Sequence, residues 1–73
     1  MTGDLAQLKK NIGSRIRQRR EEVRMSQEDL AYDAHLAPSY LSQIEAGKRN
    51  PSIGALYRLC SALQFDLSDL FKA

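Results

Sequence analysis

Residues 25 to 52 read MSQEDLAYDAHLAPSYLSQIEAGKRNPS, and their helix start and stop signals leave room for two short helices joined by a tight turn. Ser26 is a capping residue, Asp29 stands three positions on, and Met25 can pack back over the first turn onto Leu30. Pro38 has no N–H to give a helix interior and fits best at the first position of a new helix. The first helix must therefore end near His35, at a bend that requires a left-handed residue. Histidine is one of the non-glycine types enriched in that conformation. Gly47 stops the second helix as a left-handed cap, and Asn50–Pro51–Ser52 is turn chemistry with Ser52 free to cap a further helix. The spacing predicts helices over about 27–34 and 38–46, joined by His35–Leu36–Ala37.

The remaining segments are also helical in period. Leu5, Leu8, Ile12, Ile16 and Val23 recur at intervals of three, four and seven and mark one face of an N-terminal helix, with Asp4 and Gln7 as a capping box at its start. Ile53, Leu56, Leu59, Cys60 and Leu63 form the apolar face of a helix after Ser52. A short terminal piece, DLSDLF, carries Leu67, Leu70 and Phe71. Nothing alternates with a period of two. The expected fold is all-α, a compact bundle of five short helices in a single domain over residues 1–73. No polar linker follows Phe71, so the domain is expected to be complete. At 73 residues with only 7% aromatics, small aliphatic side chains must build the core.

Several functions are excluded by what the chain lacks. One histidine and one cysteine cannot form a metal cluster, and there is no phosphate-cradling glycine loop or nucleophile motif. No enzyme activity, metal or cofactor is expected. His35 belongs to a turn, and Cys60 to an apolar helix face where a buried small hydrophobe is the usual explanation. A single cysteine fits a reducing compartment, no apolar run approaches the about 20 residues of a membrane span, and no signal peptide is visible, so a cytoplasmic protein is expected. A net charge of +2 is uninformative, but its distribution is not. Seven of the eleven basic residues (Lys9, Lys10, Arg15, Arg17, Arg19, Arg20 and Arg24) lie in one N-terminal stretch, and Lys48–Arg49 form a second pair. From charge alone, a solvated surface with paired charges is the simplest reading.

The two central helices have the spacing of a helix-turn-helix. On a helical projection Ala37, Leu41 and Ile44 turn inward, whereas Ser39, Ser42, Gln43 and Ala46 turn outward. That outer face is small, uncharged and hydrogen-bonding, as suits a helix entering a groove lined with base edges. An ordinary exposed helix would carry Glu and Lys there.

The segments S-Q-E-D-L-A and L-S-Q-I-E-x-G-K-R-N-P-S, followed by an apolar helix and DLSDLF, resemble the Cro and phage-repressor, or xenobiotic-response-element, helix-turn-helix family. The likeness runs from about Ile12 to Phe71, and the length is similar to that of the small controller proteins of restriction–modification systems. It implies a transcriptional regulator whose second motif helix enters the major groove of double-stranded DNA. The matching base-contact positions are Pro38, Ser39, Tyr40, Ser42 and Gln43. Gln43 is the strongest of these, because a glutamine amide can bond two atoms of an adenine edge. Tyr40 could instead pack on a thymine methyl or a phosphate, or form a half-buried edge of the core. The resemblance assigns phosphate contacts to Gln27, Lys48, Arg49 and Asn50, with Arg15 and Arg17 as further positions that a solvated face would equally explain. It also implies a structural ion pair between Arg20 and Glu45. Three positions depart from the family pattern: His35 and Gln64 stand where glycine is usual, and Ala37 where a capping side chain is.

One short helix reads too few base pairs to define a genomic site, so a homodimer is expected. The apolar residues least needed inside the monomer, Phe65, Leu67, Leu70 and Phe71, are the expected interface. A different class of function remains open: a protein-interaction module, either antitoxin-like or a co-activator bridging to RNA polymerase.

Overall fold

The computed structural model describes residues 4–71. Within them the chain forms α1 (Asp4–Glu22), α2 (Gln27–Asp33), α3 (Pro38–Glu45), α4 (Ile53–Leu63) and a 3-10 helix at Leu67–Phe71. The five-helix expectation is corrected to four α-helices and one 3-10 turn among the described residues. After Gln64 breaks α4, the chain winds into a 3-10 helix of five residues, with the Asp69 N–H on the Asp66 carbonyl three positions back, as that tighter winding requires.

Each boundary follows from its local chemistry. Ser26 Oγ accepts the Asp29 N–H at 3.0 Å while the Asp29 carboxylate accepts the Ser26 N–H at 3.2 Å, a complete capping box. At the other end of α2, His35 takes φ +57° and the Leu36 N–H closes on the Ala31 carbonyl at 2.8 Å. Pro38 opens α3, whose N-cap Ala37 offers no side-chain bond. Ser52 Oγ caps α4 through the Ala55 N–H at 3.0 Å. Arg24 and Gln64, with φ +61° and +51°, also end their helices in the left-handed region. Asp4 is already inside the first turn of α1, and the Gln7 amide donates forward to Asn11.

The core draws on every element: Ile12 and Ile16 from α1, Leu30, Ala31 and Ala34 from around α2, Leu41 and Ile44 from α3, Leu56, Leu59, Cys60 and Leu63 from α4, and Leu70. Periodicity overextended two faces. Leu5, Leu8 and Val23 are exposed at the two ends of α1, which overhang the core, and Ile53 is 78% exposed in the first turn of α4. Ala37 is also exposed rather than inward, because it precedes the helix it was expected to join.

The closest approach sets the position of α3. A methyl group on Gly13 of α1 would overlap the Ile44 carbonyl oxygen and lie 2.8 Å from that of Glu45. Glycine in a helix costs about 0.5–1 kcal/mol relative to alanine, and here it allows backbone to meet backbone.

Candidate nucleic-acid interface

α3 is held from behind by an ion pair. Arg20 Nε donates to Glu45 Oε2 at 2.8 Å and Arg20 Nη2 to Oε1 at 3.0 Å, a bidentate fork. Arg20 Nη1 also donates to the Met25 carbonyl at 2.9 Å, and Gln27 Nε2 to Glu45 Oε1 at 3.0 Å. The carboxylate hydrogen bond raises the Arg20 pKa against the opposing effect of burial. One carboxylate at the end of α3 thus joins α1 and the first residue of α2. Sequence reasoning placed Gln27 on a phosphate and missed this bond. An amide nitrogen has two N–H donors, and one is engaged here.

The opposite face of α3 is open. Pro38, Ser39, Ser42, Gln43 and Ala46 are exposed, while Leu41 and Ile44 are buried. The hydroxyls and amide on that face are presented to solvent at the spacing of one helical stripe. Tyr40 is different. It is half-buried against the core, its hydroxyl accepts the Ser52 N–H at 3.2 Å, and the Arg49 guanidinium sits over its ring, 5.0 Å from the centroid.

Beyond α3, Ala46 and Gly47 close the helix, with the Lys48 N–H on the Gln43 carbonyl at 2.9 Å. Gly47 has φ +74°, and a side chain there would also come within 2.9 Å of Lys10 Cγ. The loop Lys48–Arg49–Asn50 is exposed, and Gly47 at its start lies against Lys10 of α1. Lys10, which the sequence suggested was only solvated, is a basic neighbour of that loop. No pattern in the sequence marked it, because the contact depends on how α1 crosses α3.

The two further expected phosphate positions, Arg15 and Arg17, both stand on α1. Arg15 lines a cleft with Gln18, Arg19, Glu22 and Phe65, and at about 100° per residue it stands well round α1 from Gly13 and the α3 contact. Arg17, on the exposed surface, pairs with Glu21 at 3.3 Å. Of the expected interface residues, Leu70 is fully buried in the monomer core and is withdrawn from that set. Phe65 and Leu67 are half-buried against the core, and Phe71 is 54% exposed.

Arg58 contributes where no motif pointed. Its Nε donates to the Ala34 carbonyl at 2.9 Å, so α4 ties down the turn between α2 and α3. Arg19 similarly meets the Leu63 carbonyl at 3.1 Å, with its guanidinium over the Phe65 ring. Among the described residues no cluster of metal-binding side chains occurs, and no helix is long and apolar enough to cross a membrane.

A short capped helix, a left-handed bend and a second helix with an uncharged outer face define a helix-turn-helix domain. Residues 16–70 match the family described as helix-turn-helix, and the chain belongs to it. The control protein C.MunI from Mycoplasma sp is 37% identical over 66 residues, spanning 89% of each chain. The restriction–modification controller protein C.AhdI from Aeromonas hydrophila superimposes with a TM-score of 0.84 at 35% identity, covering 86% of this chain and 96% of that one. SinR, a master regulator for biofilm formation solved in complex with DNA and known from Bacillus subtilis, gives a TM-score of 0.80 at 40% identity, over 84% of this chain and 98% of that one. The protein is of the DNA-binding transcriptional-regulator class.

Proposed function

We propose that this chain is a sequence-specific transcriptional regulator that binds two-fold operator sites on double-stranded DNA as a homodimer, in the cytoplasm. The observation that carries the reading is the division of α3 into a buried, anchored side and an exposed stripe of Ser39, Ser42 and Gln43. Gln43 reads an adenine edge in the major groove, and the serines contact neighbouring bases. Lys48, Arg49 and Asn50 lie along one phosphate chain, joined by Lys10, and the second N–H of the Gln27 amide meets the other. Arg17 pairs with Glu21 through Nε and is a further phosphate contact through its other N–H groups. Phe71, with the edges of Phe65 and Leu67, pairs with the same patch of a second copy.

The protein-interaction reading has less support, because the outer stripe of α3 carries no large apolar side chain. Selection from random duplexes, followed by salt titration on the selected site, tests the proposal. The expected result is a two-fold site with half-sites about 34 Å apart and an affinity that falls steeply with salt. Affinity unchanged over a fourfold rise in salt would overturn it.

A further inference from the structure

We infer that Tyr40 is a positioning residue that holds Arg49 in place for the nucleic acid, and that it does not read bases itself. The inference rests on the DNA-binding reading. Three contacts carry it: the Arg49 guanidinium lies 5.0 Å from the Tyr40 ring centroid, the Tyr40 hydroxyl accepts the Ser52 N–H at 3.2 Å, and the ring packs against the core. The ring is thereby covered, and the hydroxyl is held in place as an acceptor. The ring face that would meet a thymine methyl is covered by the guanidinium, and the hydroxyl is fixed to the residue that caps α4.

The arrangement addresses a problem of the loop. Arg49 is exposed, on a segment that turns sharply after Gly47, and a free arginine there would lose its rotamer freedom on binding. An aromatic face attracts the cation and removes much of that freedom before the partner arrives. Tyr40 stands on α3 itself and is bonded to the start of α4, so the ring fixes the charge relative to the reading stripe. The basic loop and the reader helix then approach DNA as one rigid body. The fork of Arg49 remains available on its outer edges, because stacking uses the face of the guanidinium and leaves its N–H groups in plane.

A double-mutant cycle tests this, with Tyr40→Leu and Arg49→Ala alone and combined, on the selected duplex and an unrelated one. Tyr40→Leu should weaken binding about two- to fivefold on both duplexes alike. Tyr40→Phe, which keeps the ring, should weaken it less. In the Arg49→Ala background Tyr40→Leu should have no further effect. An undiminished effect there, or a change in base preference, would show direct contact of Tyr40 with DNA and overturn the inference. The free wild-type protein supplies an arm independent of binding and of any substitution. Its Arg49 side-chain protons should be shifted upfield by the Tyr40 ring, and random-coil shifts would also overturn the inference. A chain that bound no duplex would remove the DNA reading, and the proton shifts would still decide whether Tyr40 holds Arg49.

Discussion

Glu45→Ala is the most informative single substitution for the architecture behind the reader helix. The Glu45 side chain is 3% exposed and that of Arg20 11%, and the two share the short bidentate contact. Removing the carboxylate leaves Arg20 with the Met25 carbonyl alone and leaves the Gln27 amide without its acceptor. Breaking a buried pair in this way costs about 3–5 kcal/mol. At about 0.05–0.15 kcal/mol per residue, a domain of 73 residues has a total of about 4–11 kcal/mol. The substitution should therefore consume a large share of the stability and leave the chain partly unfolded at 37 °C. Equilibrium urea unfolding followed by circular dichroism measures the loss, with the slope against denaturant expected to stay unchanged. Arg20→Met combined with Glu45→Leu should recover most of it, because an apolar pair leaves no charge behind. A loss below about 1 kcal/mol for Glu45→Ala would place the pair in the class of exposed salt bridges and refute the argument.

Other substitutions separate reading, gripping, pairing and folding. Gln43→Ala should cost about 1–3 kcal/mol at the preferred site and relax one base position, whereas Arg49→Ala should weaken all sites together and make the salt dependence shallower by about one unit. Competition binding on variant duplexes distinguishes the two patterns. Phe71→Asp should convert a dimer to a monomer in sedimentation at micromolar concentration while leaving helical content intact. Gln64→Gly should stabilise the chain by about 0.5–1 kcal/mol in urea unfolding, as relief of a left-handed penalty of about 1–2 kcal/mol outweighs the added backbone entropy of glycine. Burial, with smaller contributions from Asp66 and Asp69, pushes the Cys60 thiol up to about 11 from an ordinary value near 9. The folded chain then retains a proton that the unfolded chain releases, so this contribution is whole below pH 9 and lost as pH rises towards 11. Urea midpoints across that range should fall more for the wild type than for Cys60→Ala.

The boundaries of α2, α3 and α4 were legible because they are written in local chemistry: a capping serine, a proline and a left-handed residue act within a few positions of themselves. The inner face of α3 was legible for the same reason, since Leu41 and Ile44 follow the helical period. Leu5, Val23 and Ile53 show where period fails. A helix face continues past the core that it covers, and only the packed structure shows where cover ends. The Arg20–Glu45 pair came from likeness to a family, whereas Gln27 on Glu45, Arg58 on Ala34 and Lys10 beside Gly47 depend on how separate helices cross. Tyr40 carried several possible roles in sequence, and no pattern there placed the Arg49 guanidinium over its ring.

The two sides of α3 answer to separate demands. Its attachment to the body runs through the backbone at Gly13, the Glu45 carboxylate, Leu41, Ile44 and Tyr40. Ser39, Ser42 and Gln43 are exposed and take no part in that attachment. Changes at these three positions should fall within the about 0.5 kcal/mol typical of surface substitutions, so the scaffold is close to indifferent to what is written on them. A library randomised at 39, 42 and 43 should consist largely of folded proteins that differ in the sites they prefer. New binding preferences are then reachable by single steps, each through an intermediate that still folds.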